Sequence, residues 1–435
     1  MSLFTIAIDR TGIAVAAIDG VGCAYELATS VALWQPTALI LATGAALAMR
    51  SIPALRTYQF TAWVVVVVLA GMLYPERFLN VAGFNMQHKW ILSGMIQLVM
   101  FGMGTQLTIA ELAHVRRMSY PVAIGVALQF SVMPLVGFGL AKLVGLPPEI
   151  AAGVVLIGAC SSGLASNVMS YIAEANLPLS ITLTAIGTAT APLTTPFWMW
   201  LLTGDSMNFD GAEFIKMMLN IVKLVIVPIG AALLHDYLKY AKPLNRRIVL
   251  LLASLSLAGL IVLMQGGWSF LEQHYSQGTL AAVTVIGFIG GAIVAGVAFH
   301  YLCWLLPGLE RSMPVGSMIG ILYVTLMTTA AGRDALLGVG PQLFVVSFFH
   351  NAVGLALGYW ICRFTRVDER SSRTIALEVG IQNGGMASGL ANEMNKLATV
   401  GLAAAIFIPW MNIAGSLLAN YWRRKPPPDV VPVNP

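Results

Sequence analysis

The stretch "TAWVVVVVLAGMLY", residues 61–74, carries no charge, and apolar runs like it recur along the chain. Each is about 20 residues long, the length that crosses a bilayer as a helix. In hydrocarbon every backbone N–H and C=O must be satisfied by the protein itself, which leaves helices or a closed barrel. Barrel strands alternate apolar and polar residues at a period of two. These runs are continuous, so the chain is read as helical. Composition agrees: the chain is 58% hydrophobic and 10% charged, against about 25% charged in ordinary soluble domains. No soluble core hides that much apolar surface, and an integral membrane protein follows.

Thirteen spans are expected, at 30–50, 58–75, 88–105, 119–142, 148–175, 179–203, 212–237, 247–266, 280–306, 314–331, 340–364, 371–395 and 398–422. Residues 1–29 carry Asp9, Arg10, Asp19 and Glu26 and are read as an interfacial segment. No basic flank precedes a clean apolar run with a small-residue cleavage site, so no signal peptide is expected. The Pro-rich tail "KPPPDVVPVNP" reads as extended. The cysteines Cys23, Cys160, Cys303 and Cys362 are scattered, with neither metal spacing nor a disulfide framework. The small net positive charge gives no sign of nucleic acid as a partner.

Threading the spans alternately puts sixteen Lys and Arg on one side and seven on the other. The positive-inside rule then places the C-terminus in the cytoplasm and the N-terminus outside, with the cell membrane as the expected location. There is also an internal echo. "SGLAS" at 162–166 resembles "GGMAS" at 384–388, and each lies in a polar, glycine-interrupted segment followed by one more apolar span. The two copies run in opposite directions through the membrane, the signature of inverted repeats.

Polar residues concentrate in these two segments. The first holds Ser161, Ser162, Gly163, Ser166 and Asn167, followed by Ser180, Thr184, Thr188 and Thr190. Ser180, Thr184 and Thr188 recur every four residues and share a helix face. Serine and threonine also simply join transmembrane helices, and that reading suits the threonines beyond Thr188. Ser166, Asn167, Ser180 and Thr184 beside a helix break suit a hard cation, which takes oxygen ligands.

Glu378 is sharper, because an ionisable group inside a span is costly and marks function. It is either half of a structural pair, with Lys223 as partner, or a cation ligand. Gln382, Asn383 and the pair Gly384–Gly385 beside it favour the ligand: the amides add oxygens, and the glycines are expected to unwind the helix. Gln129 faces a neighbour or an ion, His350–Asn351 reads as a packing pair, and Glu393 is expected to reach the interface.

The ordered motifs "FGMGTQL", "QFSVMP", "GLASNVMSY", "LPLSITLT", "FHNAVG", "EVGIQNGG" and "WMNIAGSLLANYW" together resemble the sodium–bile acid symporter family, particularly its bacterial members. The resemblance covers about 58–237 and 312–424. It implies an all-α polytopic fold of two inverted five-helix repeats, forming panel and core domains with crossing broken helices. The expected division is a 1–57 extension with one extra transmembrane helix, a first repeat over 58–203, a second over 204–424 with an inserted helical hairpin at 247–306, and a cytoplasmic tail over 425–435. The hairpin would attach to the panel domain, and Glu272 is expected in its loop.

The resemblance also implies two sodium ions as coupling ions, with no other cofactor. Ser166, Asn167, Ser180, Thr184 and Glu378 would form one site. Gln129, Glu378, the backbone at Val379 and Ile381, and Gln382 would form the other. Gly163, Leu164, Asn383 and Asn412 would meet the substrate. Two departures bear on that substrate: Ser161–Leu164 replace a common Pro-Gly-Gly-Thr run, and Met411 replaces a common histidine.

The expected function is sodium-coupled import of a small or amphipathic organic anion by alternating access, with membrane lipid as surroundings and the oligomeric state open. Alternatives are a sodium-dependent sensor or channel-like relative, and proton coupling through Glu378. An intramembrane hydrolase using Ser161 or Ser162 with His350 lacks a nucleophile elbow, so no enzyme is expected.

Overall fold

A helix, or a pair of half-helices, underlies each of the thirteen apolar runs. The computed structural model describes residues 4–8, 14–18, 34–52, 55, 58–108 and 119–425. Two short strands, β1 (Phe4–Ile8) and β2 (Ala14–Ile18), pair antiparallel ahead of the helices. The remainder of the expected interfacial segment, the tail beyond Lys425, and Arg56, Arg116 and Arg117 lie outside the described residues.

The helices follow in order: α1 (Trp34–Ala48), α2 (Gln59–Leu73), α3 (Lys89–Gly104), α4 (Ser119–Val144), the half-helices α5 (Pro148–Ala159) and α6 (Leu164–Ile172), and α7 (Leu177–Met207). Then come α8 (Gly211–Tyr240), α9 (Pro243–His274), α10 (Gln277–Leu305), α11 (Leu309–Ala331) and α12 (Arg333–Phe364). The half-helices α13 (Glu369–Gly380) and α14 (Gly384–Glu393) and the last helix α15 (Leu402–Arg423) complete the chain. Among the described residues, eight helices are long and apolar enough to cross a membrane. The protein is an integral membrane protein.

Local chemistry sets the helix ends. Asp210 accepts from Ala212 N and Glu213 N, both at 2.9 Å, to start α8. Asp368 accepts from Ser371 N at 2.9 Å to start α13. Asn176 accepts from Leu179 N at 3.2 Å to start α7, and Asn208, at φ 51°, ends that helix. These caps satisfy backbone donors that the helix itself cannot.

Helices α2, α3, α8 and α11 pack through small residues. A Cβ added at Gly102 of α3 would meet the Met313 carbonyl of α11 at 2.8 Å, and one at Gly104 would meet Ile229 of α8 at 2.9 Å. Such approach is what small residues provide in membranes. The other bundle holds α4–α7 and α12–α15. Within it α5 and α13 are almost wholly buried, so the irregular backbone beside them is enclosed by protein and not by lipid.

The inserted hairpin is α9–α10, running a few residues beyond its expected start. Its α10 packs on α8, where a Cβ on Gly296 would meet the Ala231 carbonyl at 2.6 Å. The α9 helix kinks at Gly266 (φ 114°) and continues to His274. Glu272 is therefore not in a loop. It lies in the last turn of α9 and accepts from Trp268 Nε1 at 2.7 Å.

Candidate functional site

Two helix breaks meet face to face. The α5–α6 break spans Cys160–Gly163, and the α13–α14 break spans Ile381–Asn383. Ser162 and Gln382 form an antiparallel bridge, and Asn383 N donates to Ser161 O at 2.8 Å. Antiparallel pairing means that the two broken segments run in opposite directions, as inverted repeats require. Each break thereby satisfies part of the other's backbone.

The glycines beside the second break do not unwind it. Gly384 and Gly385 are the first two residues of α14, capped by Asn383, which accepts from Met386 N at 3.0 Å. Their value is space: a Cβ on Gly384 would collide with the Ile408 side chain. The unwound residues are Ile381, Gln382 and Asn383, with Ile381 extended at φ −108° and ψ 108°.

Glu378 is 2% exposed, near the end of α13. Among the described residues no Lys, Arg or His pairs with it. Lys223 instead pairs with Glu393 at 3.0 Å, which removes the structural partner suggested for Glu378. Hydroxyls surround the carboxylate. Ser162 Oγ donates to Oε2, Ser180 Oγ lies 2.5 Å from Oε1, and Thr184 Oγ1 lies 3.0 Å from Oε2. Asn167 Oδ1 lies 2.7 Å from Ser180 Oγ and 3.3 Å from Thr184 Oγ1.

Counting protons exposes a shortage. Ser180 and Thr184 carry one hydroxyl proton each. Each faces a Glu378 oxygen and Asn167 Oδ1, and Thr184 Oγ1 also lies 3.2 Å from Ser162 Oγ. Two protons cannot satisfy four contacts, so two close oxygen pairs are left without hydrogen between them. Surplus lone pairs at this spacing are what a hard cation satisfies. Ser166 sits at the same break, where its Oγ donates to Gly163 O at 2.7 Å.

Of the second predicted set, Gln129, Gln382 and Val379 are joined by amide hydrogen bonds, whereas Glu378 bonds to the hydroxyl cluster instead. Gln129 Nε2 donates to Cys160 O at 3.0 Å and to Gln382 Oε1 at 2.8 Å. Gln382 Nε2 donates to Val379 O at 2.6 Å. Gln129 Oε1 is buried with no hydrogen-bond partner, an acceptor left over at a place where burial makes one costly. A cation at Val379 O would take the place of the Gln382 amide. Ile381 sits beside this chain, with its N–H donated to Leu377 O and its side chain against Gly415.

Beside both sets lies a cavity of about 70 Å³. All four predicted substrate residues, Gly163, Leu164, Asn383 and Asn412, line it. Its other walls are largely apolar, with Phe60, Met100 and Ile408 among them. The N-termini of α6 and α14 both open onto it. Asn383 Nδ2 has only a weak contact here, to Met100 Sδ at 3.8 Å.

Sequence reading missed Ser162 as a carboxylate partner, because its place in the break drew attention to the substrate side. It also missed Phe60 and Met100, since apolar residues on spans read as packing. Thr188 joins the broken segment through Ser161 at 3.3 Å, whereas Thr190 and Thr194 bond only to their own helix, as expected of packing residues. His350 bonds to Met133 O at 2.8 Å and to neither serine. Glu393, the last residue of α14, is buried by protein, bonded to Ser93 and Lys223 at 3.0 Å and paired with Lys89 at 3.3 Å.

The profile of the Sodium Bile acid symporter family matches residues 94–266. The chain is 31% identical over 368 residues to the uncharacterized sodium-dependent transporter YocS of Bacillus subtilis, covering 84% of this chain and 91% of that one. It is 28% identical over 368 residues to the probable sodium/metabolite cotransporter BASS1, chloroplastic, of Arabidopsis thaliana, covering 85% and 74%. It is 25% identical over 329 residues to the human ileal sodium/bile acid cotransporter, covering 73% and 75%. Among solved structures, the sodium proton antiporter MjNhaP1 from Methanocaldococcus jannaschii superimposes with a TM-score of 0.52 at 12% identity, over 90% of this chain and 98% of that one. That likeness shows the fold alone, a helical architecture.

Proposed function

Since the chain belongs to the sodium bile acid symporter family, and is thus a transporter and not an enzyme, we propose that it imports a small or amphipathic organic anion together with sodium, by alternating access. The observation that carries this reading is the proton shortage around Glu378. A buried carboxylate, an amide oxygen and two hydroxyls offer more lone pairs than they have hydrogens to fill. A sodium ion supplies the missing positive charge. The amide chain through Gln129, Gln382 and Val379 is the proposed second sodium site, next to the first along α13.

The cavity supports the anion. Two half-helix N-termini face it, and each carries a partial positive charge. The weakly bonded Asn383 amide adds a donor, and the apolar walls suit a carbon skeleton. At about 70 Å³ it lies far below the roughly 300–1,000 Å³ of organic-ligand pockets. Carrying such a substrate therefore requires the α2–α3–α8–α11 bundle to move against the other. Each net charge carried inward with the gradient is worth about 2.3 kcal/mol per 100 mV.

Proton coupling is the second reading, favoured by the same observation, because a proton on Glu378 fills one of the two vacant contacts. The experiment is uptake of candidate anions into proteoliposomes under an inward sodium gradient, repeated with choline replacing sodium at constant pH. Sodium-dependent accumulation is expected. Uptake that survives in choline and follows a pH gradient would assign the coupling to protons, and a signal without accumulation would assign a sensor.

A further inference from the structure

A second pocket, a polar one, lies where the inserted hairpin meets the bundle and shares no residue with the cavity. Four elements converge there. α8 supplies His235 and Lys239, the first turns of α9 supply Arg246, the end of α10 supplies His300, Tyr301, Cys303 and Trp304, and the start of α11 supplies Glu310. The pocket is about 690 Å³.

Its charges are unevenly matched. Lys239 is bonded to Glu310 and lies 3.7 Å from Asp236. Arg246 has no carboxylate partner among the described residues. Its Nη2 donates to His300 Nε2 at 2.8 Å, and its guanidinium lies 5.7 Å from the Tyr301 ring centre. A guanidinium only donates, so His300 accepts through Nε2 and is neutral. His235 is 3% exposed, and neither ring nitrogen makes a hydrogen bond. Its Nε2 stands 3.5 Å from Glu310 Oε2, outside hydrogen-bonding geometry. A buried imidazole left in this state is costly unless something else completes the site.

The feature lacking is an acceptor. Arg246 and Lys239 are donors alone, and each neutral imidazole carries one N–H. Glu310 is the carboxylate lining the pocket; its Oε1 engages Lys239 and its Oε2 faces His235 Nε2 at 3.5 Å, so Arg246 is the cation left without one among the described residues. Among the described residues no group of three or more His, Cys, Asp and Glu is placed to hold a metal ion, so the histidines and Cys303 do not form a metal centre. The chemistry fits a phosphate oxyanion, which takes a planar guanidinium fork and several N–H donors.

Position decides the source of the phosphate. The pocket lies at the helix ends on the Lys- and Arg-rich side, its residues close in sequence to Lys242, Arg247 and Arg311. Tyr240 and Trp304 are highly exposed there, next to exposed Leu305 and Leu306. Exposed aromatics and aliphatics interleaved with a basic cluster at helix ends match a headgroup layer. We propose that this pocket binds the phosphate headgroup of an anionic phospholipid, so that the inserted hairpin serves as a lipid-reading collar on the α8–α11 face.

The test uses the full-length protein in neutral detergent, with thermal stability read against added short-chain phosphatidylglycerol, phosphatidylcholine of equal chain length, or inorganic phosphate. Phosphatidylglycerol is expected to raise the melting temperature saturably, and phosphatidylcholine to do so at least tenfold more weakly. Arg246→Gln should weaken the phosphatidylglycerol response at least tenfold, about 1.4 kcal/mol. His235→Phe, which keeps the ring volume, should weaken it in the same direction. Sodium-dependent stabilisation, read in the same samples, should be unchanged and shows that each variant is folded. Equal responses to the two lipids, or an Arg246→Gln response like that of the unmodified protein, would overturn the proposal. Saturation by inorganic phosphate alone would overturn the lipid assignment in favour of a soluble anion.

Discussion

Glu378 sits 2% exposed with hydroxyls as its neighbours and no cationic partner among the described residues. An arrangement like this stabilises little by itself, since a buried carboxylate without a counter-charge loses hydration it does not regain. Its persistence makes sense if a cation completes it. Glu378→Gln keeps the volume and removes the charge, so the variant should fold while its thermal shift with sodium disappears. A sodium shift retained at wild-type concentrations would show that the carboxylate is not a ligand. Leu164 belongs to the same scale and a different job. It stands at the start of α6 with its neighbours Gly163 and Ala165 on the cavity wall, and apolar contact there is worth about 25 cal/mol per Å² buried. Leu164→Thr should weaken the native anion, favour more polar carboxylates, and alter sodium affinity by less than about threefold, or roughly 0.65 kcal/mol. An unchanged ranking of anions in competition assays would remove Leu164 from the selectivity filter.

Element by element, what could be read in the sequence follows from how local each signal is. Long apolar runs with caps at Asp210 and Asp368 state their own helices, and a pair such as SGLAS and GGMAS states a repeat. The contacts between elements are not local. That Lys223 belongs to Glu393 and not to Glu378 depends on where α8 lies against α14, which no spacing reveals. The role of Gly384 was misread for the same reason: the residue it makes room for, Ile408, is on α15. The residues proposed as ion ligands were visible because polar side chains are rare in spans, whereas the cavity wall was hidden among apolar residues with no distinguishing mark. The hairpin shows the value of placing elements. It rests on α8 through Gly296 and contributes nothing to the Glu378 cluster or the amide chain. Replacing α9–α10 with a short polar linker should therefore keep the sodium-dependent thermal shift. Loss of that shift in a folded variant would show that the hairpin shapes the ion sites.

At the scale of the whole molecule, alternating access requires contacts between the two bundles that hold on one face and release when it opens. Glu393 is placed to be such a contact. It ends α14, while Ser93 and Lys89 come from α3 and Lys223 from α8, so its partners all belong to the opposing bundle. It lies at the start of the connection into α15, the end opposite Arg423 and Lys425. Lys89 and Lys223 keep 48% and 31% of their side-chain exposure, so both remain partly hydrated. Removing one partner of a fully buried pair costs about 3–5 kcal/mol, and partial hydration reduces this to about 1–2 kcal/mol here. Glu393→Gln should therefore shift the population toward separation on this face by about five- to thirtyfold. Hydrogen exchange should speed up in 384–395 and 89–97, while α5 and α13, buried within one bundle, keep their protection. If transport rocks one bundle against the other, sodium should restore protection only in part, since it acts at Glu378 and not at the latch. Uniform acceleration through α5 and α13 would mean that Glu393 holds the fold together, and no change anywhere would mean that the opening face lies elsewhere.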